Sequence, residues 1–448
     1  MESIPQVLSY SHSSSLFRVN EFAVMPSEGQ QNQNGRLTFR LPQKSIINLS
    51  SLRVAFRATI TGLTAAADNN SNAMVSIPAY SYFRSVQWIV GGTTVCGSSQ
   101  HYNAIYHALF KATQPLESSR SKLDAGMNAL ISLLDDYDGI ADGTVDGTSI
   151  AGGNGAGGIT SKSTRLVMSD LLGMRSGNES YIDTSLFGDV QLVLELADTS
   201  AIPIKLTGNT TVSGISFNIS DAVVHCKAVT SISPLYVEML ANRLQSNQPI
   251  KWPFQNYSST LNSNATGGVL SVNTGCLDLL LCVPYNASPN SAAGLDANQI
   301  NPPRYKFNSG LVRSSANTFR FQTKINNQYY PVKQVENALD VPSITTEALF
   351  GSSDMSAQNL LFLGYTDTNG ARYNRSAFLS DNFILVQKLC GIQEGWAGAK
   401  QATGISSNGS QMDINIQYQG FGTFQLMCAF YTSYLVYDPS SGSVQLEA

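Results

Sequence analysis

Two short stretches of this 448-residue chain return about half its length later. Phe83-Arg84 leads into Trp88-Ile89-Val90-Gly91-Gly92, and Phe319-Arg320 leads into Lys324-Ile325-Asn326-Asn327; Ile89 and Ile325 lie 236 positions apart. Phe187-Gly-Asp-Val-Gln-Leu192 is matched by Phe421-Gly-Thr-Phe-Gln-Leu426, 234 positions on. A six-residue match arises by chance, but two matches at nearly one offset favour a duplicated unit. The expected division is therefore 1–232 and 233–448, the first with an N-terminal arm. Each half falls near the roughly 200–250 residues that one all-β sandwich can occupy.

The local pattern agrees with sandwiches. Leu52–Ile60 alternates apolar and polar residues for part of its length, as a strand with one wet face does. Ser85–Val90 runs into Gly91-Gly92, a two-residue hairpin signal, and Thr93–Val95 returns. Asp189–Leu196, Met412–Tyr418 and Phe424–Tyr437 also read as strands, the last with a bend. Helical signals are few. His101–Ala112 carries Tyr102, Ile105, Tyr106, Leu109 and Phe110 at helical spacing. Leu235–Leu244 follows Ser233-Pro234, a cap and first turn, and would bridge the halves. The stretches 61–72, 135–163 and 287–303 are expected as long surface loops.

Composition narrows the function classes. Charged residues are 13% of the chain, against about 25% in an average soluble domain. Hydroxyl, amide and glycine residues take their place, which suits large contacts between subunits, because burying a hydroxyl costs less than burying an unpaired charge. The net charge is −4 and no basic block occurs, so direct binding of nucleic acid is not expected. No 20-residue apolar run spans a membrane, and Met1 to Ser15 lacks the pattern of a secretory leader. Cys96, Cys226, Cys276, Cys282, Cys390 and Cys428 are scattered and form no CxxC, so buried free thiols are expected.

Catalytic and metal signals are thin. His12, His101, His107 and His225 are the four histidines, and His101 and His107 are off the i,i+4 spacing of a helical ligand pair. Gly153-Asn-Gly155-Ala-Gly-Gly158 spells a dinucleotide fingerprint without the flanking strand and helix that it needs. Asp136, Asp138, Asp142 and Asp146 on a Gly-rich run could wrap calcium with oxygen ligands. The EF-hand spacing fails at Ile140 and no Glu closes the loop, so the competing reading is a solvated acidic loop. No catalytic residue, cofactor or other metal site is expected.

The strand, Gly91-Gly92 turn and helix running from Ser85 to Phe110, the Phe187–Leu196 strand, the Asp221–His225 strand with the helix after Ser233, and the duplication together resemble the double jelly-roll major capsid proteins of adenoviruses, tectivirus-like phages, virophages and large DNA viruses. The resemblance implies an all-β chain of two tandem jelly-roll β-sandwiches with few short helices. It implies a structural, non-enzymatic role as a homotrimer tiling an icosahedral virion, made in the host cytoplasm. Neighbouring capsomers, penton and minor capsid proteins would be partners, with an internal membrane as a further candidate. A secreted carbohydrate-binding or glycan-active tandem β-sandwich is the alternative.

Overall fold

A computed structural model of the chain describes residues 18–447, except 65–71, 114–148, 152–160, 286–318, 351–382, 391–403 and breaks of one to five residues. In chain order the first half has strands β1 (Arg18–Val24), β2 (Glu28–Gly29), β3 (Arg36–Arg40), β4 (Ile46–Thr64), β5 (Asn72–Val75), β6 (Phe83–Val90), β7 (Thr93–Cys96), β8 (Ser149–Ala151), β9 (Ser161–Ser169), β10 (Tyr181–Asp183), β11 (Val190–Leu196), β12 (Ile204–Thr207) and β13 (Thr211–Ser231). The second has β14 (Ile250–Asn262), β15 (Gly267–Val272), β16 (Leu277–Tyr285), β17 (Arg320–Ile325), β18 (Gln328–Val335), β19 (Leu385–Lys388), β20 (Met412–Gln419), β21 (Phe424–Asp438) and β22 (Ser443–Glu447). The helices are α1 (Tyr102–Thr113), α2 (Thr184–Phe187), α3 (Pro234–Gln245) and α4 (Val341–Phe350).

The second half shows the topology most simply. Its first eight strands form two antiparallel sheets, ordered β14-β21-β16-β19 and β15-β20-β17-β18. Numbered one to eight along the chain, these are orders 1-8-3-6 and 2-7-4-5, the two interleaved Greek keys of a jelly roll. The first half repeats them: β1-β13-β4-β10 forms one sheet, with β9 also on β4, and β3-β11-β6-β7 the other. A further small sheet, β12-β5-β8, is built from inter-strand connections. It takes in β8 and, with the start of β9, orders part of the 135–163 stretch expected as loop. Likewise β4 extends to Thr64 inside the 61–72 stretch.

The two sequence matches fare differently. Gly91-Gly92 and Asn326-Asn327 both turn the hairpin between strands four and five, and all four residues have positive φ (57°, 85°, 48° and 67°). That is the type I′ turn whose twist suits a two-residue hairpin, and asparagine tolerates it almost as glycine does. The second match is out of phase. Phe187–Leu192 enters β11, strand seven, whereas Phe424–Leu426 opens β21, strand eight; the counterpart of β11 is β20. A six-residue apolar pattern reports a strand's burial, not its place in the sheet.

Burial explains why the halves differ in pattern. In β4, Leu52, Val54, Phe56 and Ala58 face the core while Arg53 and Arg57 are exposed. In β16 the run Leu279-Leu-Leu-Cys-Val283 is buried throughout. Leu280 and Cys282 enter the second sandwich's own core, with Phe321, Ile414, Met427 and Ala429. Leu279, Leu281 and Val283 point the other way, into a cluster shared with the first half through Phe254, Tyr257, Cys428 and Phe430. A strand buried on both faces loses its alternation.

Candidate assembly surfaces

The halves meet where the β6–β7 hairpin of the first lies against the edge strand β14 of the second. The hairpin is bulged there: Trp88 pairs with Cys96 and Ile89 with Thr94, leaving Val95 as the extra residue. A bulge frees backbone groups from the ladder and re-aims them. The Val95 carbonyl accepts a hydrogen bond from Asn256 Nδ2 at 2.9 Å. The Asn256 carbonyl oxygen in turn accepts from the Tyr257 N–H at 2.8 Å. The Gln255 carbonyl accepts from the Met174 N–H at 3.1 Å, and the Tyr257 hydroxyl reaches the Val86 carbonyl at 3.4 Å. Thus the first half satisfies backbone and side-chain groups along an edge that would otherwise invite another strand. Gly97 permits the close approach: at φ +84° a side chain there would run into the Val86 carbonyl.

The described surface carries few ions and several large apolar side chains. Lys251–Glu447, Arg57–Asp221 and Arg84–Glu195 form ion pairs at 2.6, 3.5 and 3.4 Å. Val19 and Met25 stand out around β1, Val237 and Met239 on α3, and Tyr329 and Val332 on β18, with Val332 90% exposed. Such residues, in a chain of 13% charged residues, are candidate contact positions.

Asp136, Asp138, Asp142 and Asp146 lie outside the described residues, as do Gly153–Gly158 and His12. His101 sits just before α1, and burial lowers its pKa below the ordinary imidazole value. His225 lies on β13 opposite Arg53. Among the described residues no three His, Cys, Asp or Glu side chains gather as a metal site. All six cysteines are buried, and none is joined in a disulfide. Burial pushes the Cys96 and Cys282 thiols up to about 12, which holds them protonated and poor nucleophiles. Sequence reasoning missed the seam residues Asn256 and Tyr257. Their only sequence signal is a polar pair inside a strand, which every half-exposed strand also shows.

Two complete eight-strand sandwiches in tandem define the chain as a double jelly roll. Solved structures that share this fold include chains of virus shells. A chain of the PBCV-1 virus capsid aligns with a TM-score of 0.56 at 10% identity, over 98% of this chain and 98% of that one. A chain of the Sputnik virophage aligns with a TM-score of 0.56 at 13% identity, over 96% and 88%. The Faustovirus major capsid protein aligns with a TM-score of 0.54 at 9% identity, over 97% and 94%. No sequence-family profile matches the chain, and no curated protein matches it.

Proposed function

We propose that this chain is the major capsid protein of an icosahedral virion, built from domains 1–232 and 233–448 and working as a homotrimer. The observation that carries this reading is that two jelly rolls are joined through one shared core and align end to end with virus-shell chains. A side-by-side pair is one third of a pseudo-hexagon, so three chains form a capsomer that packs against its neighbours and against penton and minor capsid proteins. An internal membrane is a further candidate partner. The protein is made in the host cytoplasm and acts in the shell, with no catalytic residue, cofactor or bound genome. The acidic residues Asp136, Asp138, Asp142 and Asp146 remain the calcium candidates. Sedimentation and negative-stain imaging of the purified 48.2 kDa chain test the proposal. Particles of three chains with hexagonal outlines that order into arrays are expected. A monomer that binds glycans and forms no arrays overturns the reading in favour of a carbohydrate-binding sandwich.

A further inference from the structure

The seam inside the chain is a contact between two jelly-roll positions: the strand four–five hairpin of one roll (β6–β7) and strand one of the next (β14). Each chain also carries the other copy of each partner. These are the hairpin β17–β18 in the second roll and the edge strand β1 in the first. We propose that they dock between chains, β17–β18 of one copy against β1 of the next, repeating the internal seam across the subunit boundary.

Exposure separates the used pair from the unused pair. In the first hairpin the far end of the returning strand is covered, with Val95 and Cys96 each 3% exposed. At the same distance from the second hairpin's turn, Tyr330 and Pro331 are half-buried, and Val332 beyond them is 90% exposed. In strand one of the second roll, Phe254 to Tyr257 are all buried. In β1 no described residue is buried; Val19, Glu21 and Ala23 alternate outward, and Met25 continues the row.

Both hairpins also bulge on the returning strand. In the first, the bulged Val95 gives its carbonyl to Asn256 of the neighbouring roll. In the second, Thr323 pairs with Tyr330 and Phe321 with Val335, so three extra residues loop out. Gln322 Nε2 donates to the Pro331 and Val332 carbonyls at 3.1 and 3.3 Å, which holds the loop as a fixed knob. A bulge that presents an apolar side chain to water at the place where its counterpart enters a seam is built for a partner. The occupant is a second copy, because among the described residues the surface that receives such a hairpin is strand one of this same fold. Charge agrees at the edge: Glu21 sits in the exposed row of β1, and Lys324 and Lys333 flank the knob.

The contact is heterologous, since hairpin meets strand rather than hairpin meeting hairpin. Heterologous contacts close into rings or run on as filaments. Closure at three copies rests on the capsid reading; the docking pair rests on the repeated topology.

Cross-linking tests the pair in the full-length protein. The six native thiols are buried, so a short bismaleimide reports only introduced cysteines. Val332→Cys protein mixed with Val19→Cys or Met25→Cys protein should cross-link, and neither variant should cross-link to itself. The double variant Val332→Cys/Met25→Cys should give covalent species that stop at three chains. Val332→Asp should raise the concentration at which the oligomer dissociates by roughly tenfold or more, as loss of a central contact does. Val269→Asp on β15, 51% exposed and part of neither docking partner, should leave it unchanged, with both variants keeping the wild-type circular dichroism. A trimer that forms hexagonal arrays but shows no Val332–β1 cross-link, or only Val332–Val332 cross-links, overturns the docking pair and leaves the capsid reading standing. A wild-type monomer at every concentration overturns both.

Discussion

Asn256→Ala should loosen the seam between the two jelly rolls by an amount that the hydrogen bonds set. Asn256 is 6% exposed, and its amide serves two backbone groups: it donates to the Val95 carbonyl and accepts from the Tyr257 N–H. Truncation leaves both without that partner. An unsatisfied buried group costs about 1–3 kcal/mol, so the pair costs about 2–6 kcal/mol if water does not enter. Asn256→Asp sharpens the test. Its carboxylate can still accept from Tyr257 N–H but cannot donate to Val95, and burial raises its pKa. A raised folded pKa means that the variant is most stable below the ordinary carboxylate pKa near 3.9 and loses stability as pH rises through the folded value. The assay is urea unfolding followed by tryptophan emission, because Trp88 is buried on the seam hairpin and donates from Nε1 to the Leu172 carbonyl. Asn256→Ala should lower the unfolding free energy by about 2 kcal/mol or more, and Asn256→Asp should be weaker at pH 7 than at pH 4.5 relative to wild type. A loss below about 0.5 kcal/mol for Asn256→Ala, with no pH dependence for Asn256→Asp, would refute a dry, hydrogen-bonded seam.

Gly97→Ala should be among the most damaging single-methyl changes, because it combines positive φ with a clash against the Val86 carbonyl; insoluble or monomeric protein by size exclusion is the expected outcome. The cysteines should ignore a thiol reagent at pH 8 until urea unfolds the chain, since Cys96 and Cys282 are raised to about 12 and Cys226 to about 11 by burial. Their folded pKa values lie above the unfolded value near 8.5, so stability should hold below pH 8.5 and fall as pH climbs toward 12, read as a falling urea midpoint. Two fragments cut at Ser233 should each give a β-type circular-dichroism spectrum, and mixing should restore the native emission of Trp88, because the shared core spans the cut. Helical spectra would defeat that expectation. The trimer should survive a change from about 0.1 M to about 1 M salt in a sedimentation series, since so lightly charged a surface leaves little for salt to screen.

Legibility in the sequence followed how local the determining physics is. The hairpins at Gly91-Gly92 and Asn326-Asn327 were readable because a type I′ turn demands positive φ from two adjacent residues, and few residue types supply it. The helix α1 was readable from Tyr102, Ile105, Tyr106 and Leu109, which the structure buries on one face. The helix α4 was not, because Thr345 sits within it and acts through tertiary bonds, donating to the Ile384 carbonyl and accepting from the Val386 N–H. The strand β8 inside the Gly- and Asp-rich stretch, and β9 that starts at its end, were missed for a similar reason: their pairing partners, β5 and β4, are far away in sequence.

By itself the sequence determined that this protein is a β-rich chain in two related halves with one hairpin in common, because strand alternation, turn chemistry and self-similarity are properties of a few neighbouring residues. It did not determine which strands are equivalent. Phe187–Leu192 and Phe421–Leu426 look alike in sequence, yet the strands that Val190–Leu192 and Phe424–Leu426 open stand one place apart in the jelly-roll order, since sheet order is decided by long-range pairing that leaves no trace in six residues. Nor did it determine the seam. Asn256 and Val95 are 161 positions apart, and only when the two sandwiches come together does a bulged carbonyl meet an amide that answers it. The seam also decided why β16 is apolar on both faces while β4 alternates. The outer face of one sheet is closed against the other half and the outer face of its counterpart is left open.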